Sequence, residues 1–314
     1  MQKELTIEAF IDYLTHEQRA QPQTVSTYES HLRHFQQWMQ QQDESLTWND
    51  VDTDMIREWM STRMDEGMKA KSIKARLSAL RSFFRFALRR QLVKTDPSHL
   101  VASPKVPKPL PMFVREKEMD SLLDDTAWDE SLKSLLQRAI VTMLYETGLR
   151  CGELCSLNNA DVDTAQMQLR VTGKGDKTRV VPFGRELADA VVAYQQERDR
   201  RQQADGDALF LSTRGRRISR RAVYQLTHDA LSTVTSLPRR SPHVLRHSYA
   251  TAMLNHGAQL EGVRRLLGHA NLDATEIYTH ATFEQLRRAY KKAHPREEPP
   301  EIGPQKFGSV KEKT

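Results

Sequence analysis

At 314 residues the chain is longer than one typical small domain, suits two, and has length enough to bury a substantial core. Apolar residues make up 38% and charged residues 28%, an ordinary soluble balance, and no run approaches the ~18 consecutive apolar residues of a membrane span. Lys and Arg outnumber Asp and Glu 47 to 41, a modest basic excess that favours an anionic partner.

Cys151 and Cys155, the two cysteines, are four apart in a helical pattern. That excludes a disulfide scaffold or a zinc framework and fits a reducing cytoplasm. The N-terminus MQKELTIEAF lacks the basic-then-apolar plan of a signal peptide.

Residues 1–93 read as four amphipathic helices. Ile7, Phe10, Ile11 and Leu14 form the first apolar stripe, and Val25, Tyr28, Leu32, Phe35 and Met39 the second. The third helix starts on an Asp cap in DTDMIREWM and stops at Gly67. The fourth directs Ile73, Leu77, Leu80, Phe84 and Leu88 inward. Short connections between four such helices predict a small bundle.

Prolines at 97, 104, 107, 109 and 111 then rule out a continuing helix, so 94–112 reads as an extended interdomain linker. Residues 113–294 form a second, mostly helical domain. ESLKSLLQRAIVTMLYETGLR is an apolar helix, and MQLRVTGKGDKTRVVPF alternates, turns at Gly-Lys-Gly-Asp and alternates again, as a hairpin does. Helices resume near Arg185, Ser219, Pro242, Leu260, Asp273 and Phe283, and 295–314 reads as a polar, mobile tail.

Two features point to DNA. Between Lys69 and Gln91 stand eight Lys or Arg and no acid. Lys71, Lys74, Arg81, Arg85 and Arg89 share one helical stripe, with Lys69 just ahead of it. A solvated face usually mixes signs, whereas an all-basic stripe suits phosphate contact. The second feature is a set of isolated polar residues: Arg150 in YETGLR, Lys174 in GKG, His243 and Arg246 at i and i+3, His269 in LLGHANLD and Tyr278 in ATEIYTH. Singly, each has a plainer reading. Arg150 could cap a helix, Lys174 could be a solvated hairpin lysine, His269 a turn residue and Tyr278 a packed core tyrosine. His243 and His247 have the i,i+4 spacing of zinc ligands, but Val244 stands where H-E-x-x-H needs its glutamate, so no metal site is expected.

Taken jointly, TGLRCGELCSL, VTGKGDKTRVVPF, SPHVLRHSYATAML and VRRLLGHANLDATEIYTH resemble the tyrosine recombinase (phage integrase) family, and within it the Xer-type site-specific recombinases. The resemblance implies a mainly α, two-domain protein. A four-helix core-binding (SAM-like) domain would precede a catalytic domain with a small antiparallel sheet, the DNA breaking-rejoining enzyme fold. Arg150 and Arg246 match the phosphate-clamping arginines, Lys174 the general acid, His243 and His269 the two histidines, and Tyr278 the nucleophile. Glu153 matches an acidic position that buttresses the site, and His247 is read as structural, facing elsewhere.

The implied partners are a double-stranded DNA recombination site and other recombinase subunits. Those would form a tetramer on two sites, homomeric or shared with a second recombinase, with a septal DNA translocase as a possible accessory. No cofactor and no membrane enter this picture. FEQLRRAYKKAHP carries Phe283, Leu286 and Tyr290 on one stripe, which the resemblance implies docks on a neighbouring subunit; packing on its own domain is the alternative.

The chemistry is coherent without the name. Attack on a phosphodiester raises the charge at phosphorus, and fixed arginines can stabilise it where nucleases often use metals. A covalent phosphotyrosyl link stores the bond energy for rejoining without ATP. Rival readings are a non-catalytic DNA binder, a type IB topoisomerase and the integrase of a mobile element. A first helix near residue 5 leaves little room for the extra arm-binding domain of many integrases, which favours resolution of chromosome or plasmid multimers.

Overall fold

The computed structural model describes residues 5–107, 112–124, 128–173, 177–201 and 206–268, with Tyr290 and Ala293 further on. The chain divides into two units, Met1–Pro109 and Leu110–Thr314. Each has an apolar core of its own.

The first unit is the four-helix arrangement that the stripes predict. Helix α1 (Ile7–Asp12) begins where the Thr6 hydroxyl accepts the Ala9 N–H at 3.2 Å, and it runs on into one π-helical turn, Tyr13–Glu17. Helix α2 (Pro22–Gln42) has proline at its first position, where no amide donor is needed. Helix α3 (Thr53–Asp65) is capped by Asp52, whose carboxylate accepts the Met55 N–H at 2.7 Å. Helix α4 (Ala70–Arg89) completes the set. Phe10 meets Phe83 edge-on at 5.4 Å, Trp48 lies 4.5 Å from Phe83, and Phe35 meets Trp59 at 5.1 Å.

Ile73, Leu77, Leu80 and Phe84 are buried, but Leu88 is 42% exposed and Ala87 is buried instead. The inward stripe steps by four, three, four and three residues. Its next member is therefore Ala87, and stepping by four again carries Leu88 off the core.

The linker is not free of this unit from residue 94. Ser98 and Val101 are buried in it. The Thr53 hydroxyl donates to the Pro97 carbonyl at 2.9 Å, and Arg81 donates to the Val101 carbonyl at 2.5 Å and the Ser103 hydroxyl at 3.0 Å. Prolines deny this segment a helix, so its carbonyls find side-chain donors.

In the second unit α5 (Glu116–Leu123) leads into α6 (Leu132–Thr147), which starts on the Ser131 cap and packs against three later helices, Arg185–Arg201, Arg220–Ser232 and Pro242–Asn255. From Ala139 to Thr147 every α6 side chain is buried. The helix stops at Gly148, in the left-handed region at φ 60°. Helix α7 (Cys151–Ser156) follows, with both cysteines free.

The sheet has three antiparallel strands in sequence order, β1 (Val162–Asp163), β2 (Gln168–Thr172) and β3 (Thr178–Pro182). The hairpin was legible; the two-residue β1, too short to alternate, was not. Leu169 pairs with Val181 and Val171 with Arg179, and all four side chains are buried. Then come α8 (Arg185–Arg201), α9 (Arg220–Ser232), α10 (Pro242–Asn255) and α11 (Leu260–Leu267). No helix among the described residues is long and apolar enough to cross a membrane.

The helix expected near Asp273, and Phe283 and Leu286, lie outside the described residues. Of the stripe expected to dock on a neighbour, Tyr290 is the described member, and it follows the alternative of packing on its own domain. It is 1% exposed in the core of its own unit, with Ala293 buried beside it, and its hydroxyl donates to Glu146 Oε2 at 3.2 Å. A ring enclosed by its own domain has no face to offer a neighbour.

Candidate active site

Four helix ends and one strand converge where α6 stops. Arg150 is the residue before α7, and Glu153, three residues on, reaches back to accept the Arg150 N–H at 2.9 Å. The same carboxylate accepts Arg150 Nη1 at 3.0 Å, and Arg179 from β3 grips both of its oxygens at 2.9 Å each. Glu153 is 7% exposed and Arg179 6%. Burial pushes the Glu153 carboxyl up, but hydrogen bonds and charge from Arg179, then from Arg150, outweigh it and hold the group below the usual carboxylate range.

Arg246 arrives from α10. Its Nη1 donates to the Gly148 carbonyl at 2.6 Å and its Nη2 to the Leu267 carbonyl at 2.7 Å. Arg179 Nε donates to Leu266 O at 2.9 Å, and Arg150 Nη2 to Gly268 O at 3.0 Å. Three arginines thus hold three successive carbonyls at the C-terminal end of α11. That end carries the negative pole of the helix and is a natural seat for cations.

Two glycines make this approach possible. A Cβ on Gly148 would lie 2.6 Å from Tyr249 Cδ1 and 2.7 Å from Leu267 Cδ2. Gly268, at φ 65°, lets Arg179 Nη1 come within 3.0 Å of where a Cβ would sit.

Donor arithmetic separates the three arginines. Each guanidinium has five N–H groups. Arg179 spends all three of its nitrogens on protein oxygens. Among the described residues Arg246 and Arg150 each make two bonds, one fewer than the enclosed Arg179, and leave three N–H groups each for a ligand. Arg246 is 9% exposed. Burial, and then the Arg150 charge beside it, bring its pKa down to about 10. A cation under that pressure favours an arriving anion.

His243 stands one turn before Arg246 and meets Tyr224 edge-on at 6.3 Å. Partial shielding, then the charges of His247, Arg246 and Arg150, hold its pKa below the ordinary histidine value. Its ring is therefore neutral near pH 7 and able to accept a proton. His247 does not face elsewhere: it is exposed like His243, at i,i+4 on the same side of α10, and its charge acts on His243.

Lys174, His269 and Tyr278 lie outside the described residues. Gly173 and Gly268, the residues before Lys174 and His269, are described: the Gly173 N–H donates to the Lys177 carbonyl at 2.9 Å across the hairpin end, and Gly268 lies in the arginine cluster. On α4, Lys71, Lys74, Arg85 and Arg89 are exposed, as is Lys69 ahead of it. Arg81 departs from the stripe's expected role, since its guanidinium is taken by the 101–103 segment.

Sequence reasoning missed Arg179, and a signal was available. Residues 179 and 181 share one face of β3, and Val181 is buried, as is Phe183 just past the end of the strand. An arginine in phase with core positions needs a buried anion. Arg220, whose guanidinium lies 2.8 Å from where a Gly152 Cβ would sit, carried no comparable signal. Among the described residues no cluster of His, Cys, Asp or Glu is sized for a metal.

Residues 112–285 match the phage integrase family and residues 7–91 its N-terminal SAM-like domain. Tyrosine recombinase XerD of Proteus mirabilis is 39% identical over 296 residues, covering 93% of this chain and 94% of that protein. Tyrosine recombinase XerC of Halalkalibacterium halodurans is 38% identical over 303 residues, covering 94% and 99%. In fold, the chain is similar to XerH site-specific recombinase bound to its difH substrate (TM-score 0.66, 21% identity, 90% of this chain and 82% of that one). It is similar also to the Tn1549 transposon integrase in complex with transposon right end DNA (TM-score 0.68, 21% identity, 90% and 97%). The chain belongs to the phage integrase family. It is a site-specific DNA recombinase of the tyrosine class, with Xer-type relatives.

Proposed function

We propose that the protein cuts and rejoins duplex DNA at a defined site through a 3′-phosphotyrosyl intermediate, without metal or ATP, and that it resolves chromosome or plasmid multimers in the cytoplasm. One observation carries most weight. Arg150 and Arg179 hold the buried carboxylate of Glu153, Arg246 carries a third positive charge beside them, and among the described residues Arg150 and Arg246 each spend only two of five guanidinium N–H groups. That excess of positive charge at a mostly buried site suits a phosphate gaining charge in a pentavalent transition state. Guanidinium forks bind its oxygens and stay protonated.

In this reading Tyr278 attacks phosphorus. Neutral His243 takes the phenol proton or binds a phosphate oxygen, and His269 shares that work. Lys174 protonates the leaving 5′-oxygen, which would otherwise depart as a strongly basic alkoxide. Lys69, Lys71, Lys74, Arg85 and Arg89 contact the DNA backbone outside the reacting phosphate. Exchange between two sites needs four subunits, homomeric or shared with a second recombinase, and a septal translocase would supply the timing.

The test begins with a site recovered by binding selection from a random duplex pool. That duplex, nicked near the cleavage point so that the released fragment diffuses away, is incubated with the protein in EDTA. A denaturation-resistant protein–DNA adduct is expected. Tyr278→Phe is expected to bind the duplex normally and form none. An adduct from Tyr278→Phe, or strict dependence on a divalent metal, would refute this mechanism.

A further inference from the structure

We propose that Arg179 is a positioning residue for DNA cleavage: through Glu153 and the Leu266 carbonyl it sets where the Arg150 guanidinium points and where α11 ends. The inference rests on the recombinase reading above.

Arg179 cannot touch DNA itself. It is 6% exposed, and its Nε, Nη1 and Nη2 are committed to Leu266 O, Glu153 Oε1 and Glu153 Oε2. What it controls is the division of Glu153 between two cations. Arg150 Nη1 shares Oε1 with Arg179 Nη1, at 3.0 and 2.9 Å. With Arg179 satisfying both oxygens, the Arg150 guanidinium needs only one bond to the carboxylate, and the side chain stays 41% exposed with donors to spare. Without Arg179 a buried carboxylate would have one cation left. It would draw Arg150 into a fuller pairing, since an uncompensated buried charge is costly. The guanidinium that should meet the scissile phosphate would then be occupied.

The second arm of Arg179 acts on α11. Its bond to Leu266 O is the first of three parallel contacts, followed by Arg246 on Leu267 and Arg150 on Gly268. Arg179 alone of the three owes nothing to a ligand, so it fixes the helix end while the others exchange partners. Because Arg179 lies on β3, the same contact ties the hairpin to α11.

The test uses the full chain and the nicked duplex already described. Single-turnover adduct formation is followed at saturating protein from pH 8 to pH 6, beside duplex affinity and thermal unfolding. Arg179→Met is expected to bind within about threefold of wild type but to form adduct roughly tenfold or more slowly, a loss in the chemical step. Its deficit widens towards pH 6, because Glu153 with one cation takes a proton at higher pH than Glu153 with two. Adding Glu153→Gln is expected to abolish that widening and to cost less than the two single losses combined, the signature of residues acting together. Arg179→Lys keeps the charge and serves if the methionine variant does not fold. It is expected to cleave about threefold or more slowly than wild type at unchanged affinity, since ammonium lacks the planar fork.

Wild-type cleavage rates across the pH range, in Arg179→Met or in Arg179→Lys, overturn the proposal. So does a slowing matched by an equal loss of affinity with a pH profile parallel to wild type. An absent wild-type adduct sinks the recombinase reading and this inference with it; a normal wild-type adduct with indifferent Arg179 variants sinks this inference alone.

Discussion

Arg150 and Arg246 carry the same charge to different depths, and their losses are expected to differ accordingly. Each replacement by alanine is expected to slow adduct formation by about 2–4 kcal/mol of transition-state stabilisation, the range for a lost oxyanion donor. Arg246 also satisfies the Gly148 and Leu267 carbonyls inside the protein. Arg246→Ala is therefore expected to lower unfolding free energy as well, by roughly 1–3 kcal/mol for buried acceptors left without donors. Arg150→Ala is expected to change stability less. Urea unfolding beside the cleavage assay separates the two, and equal destabilisation would show that burial is not what distinguishes them. The spacing of His243 and Arg246 was readable because three residues on a helix bring side chains together whatever the tertiary fold. The grip of Arg179 on Glu153 was not, since it joins positions 26 apart in sequence through a strand and a helix start.

At the scale of elements, the end of α6 and the outer face of α4 make separate claims. Gly148 ends α6 in a left-handed turn with Tyr249 and Leu267 against its Cα. Gly148→Ala is expected to cost about 1–3 kcal/mol from overpacking alone, and a further ~1 kcal/mol from the backbone. An unchanged denaturation midpoint would mean Tyr249 moves aside freely. On α4, Arg85 and Arg89 are free to meet phosphate, whereas Arg81 is held by its own chain. The Arg85→Ala, Arg89→Ala pair is expected to lower the log–log salt slope of duplex binding by about 1.8, for two lost phosphate contacts. Arg81→Ala is expected to leave the slope alone and weaken the first unit. A slope that drops with Arg81→Ala would return that residue to the DNA face. The stripe itself was legible from the run of basic residues, but the retention of Arg81 depended on where a proline-rich segment folds back, which no periodicity encodes.

For the whole molecule, the informative residue is Tyr290. Its apolar stripe was plain in the sequence, but a stripe says only that something covers it, not which chain. The structure seats Tyr290 in its own domain against Glu146, which also accepts the Gly184 N–H at 2.8 Å. Tyr290→Ala is expected to destabilise the isolated chain by about 3–5 kcal/mol, as for other large aromatic truncations in a core. Ending the chain at Ala281 is expected to do at least as much. A monomer as stable as the full chain after either change, read by thermal unfolding, would favour docking on a neighbour instead. The two-unit plan and the helical content were legible because composition breaks at the prolines and the stripes repeat at helical spacing. The partners of the buried polar groups, Glu146, Glu153 and Arg179, were not, because each is set by packing between distant segments.

The contacts that hold α11 impose an unusual rule on its sequence. Leu266, Leu267 and Gly268 offer backbone oxygens to the arginines, so the first two side chains matter only for packing. Another apolar residue at either place preserves the same oxygens. Register is a different matter. Adding or removing one residue within Leu260–Leu267 would turn the helix end by about 100° and shift it by about 1.5 Å. All three oxygens would then miss their guanidinium partners together. The helix thus tolerates a change of apolar side chain at 266 or 267 far better than a change of length.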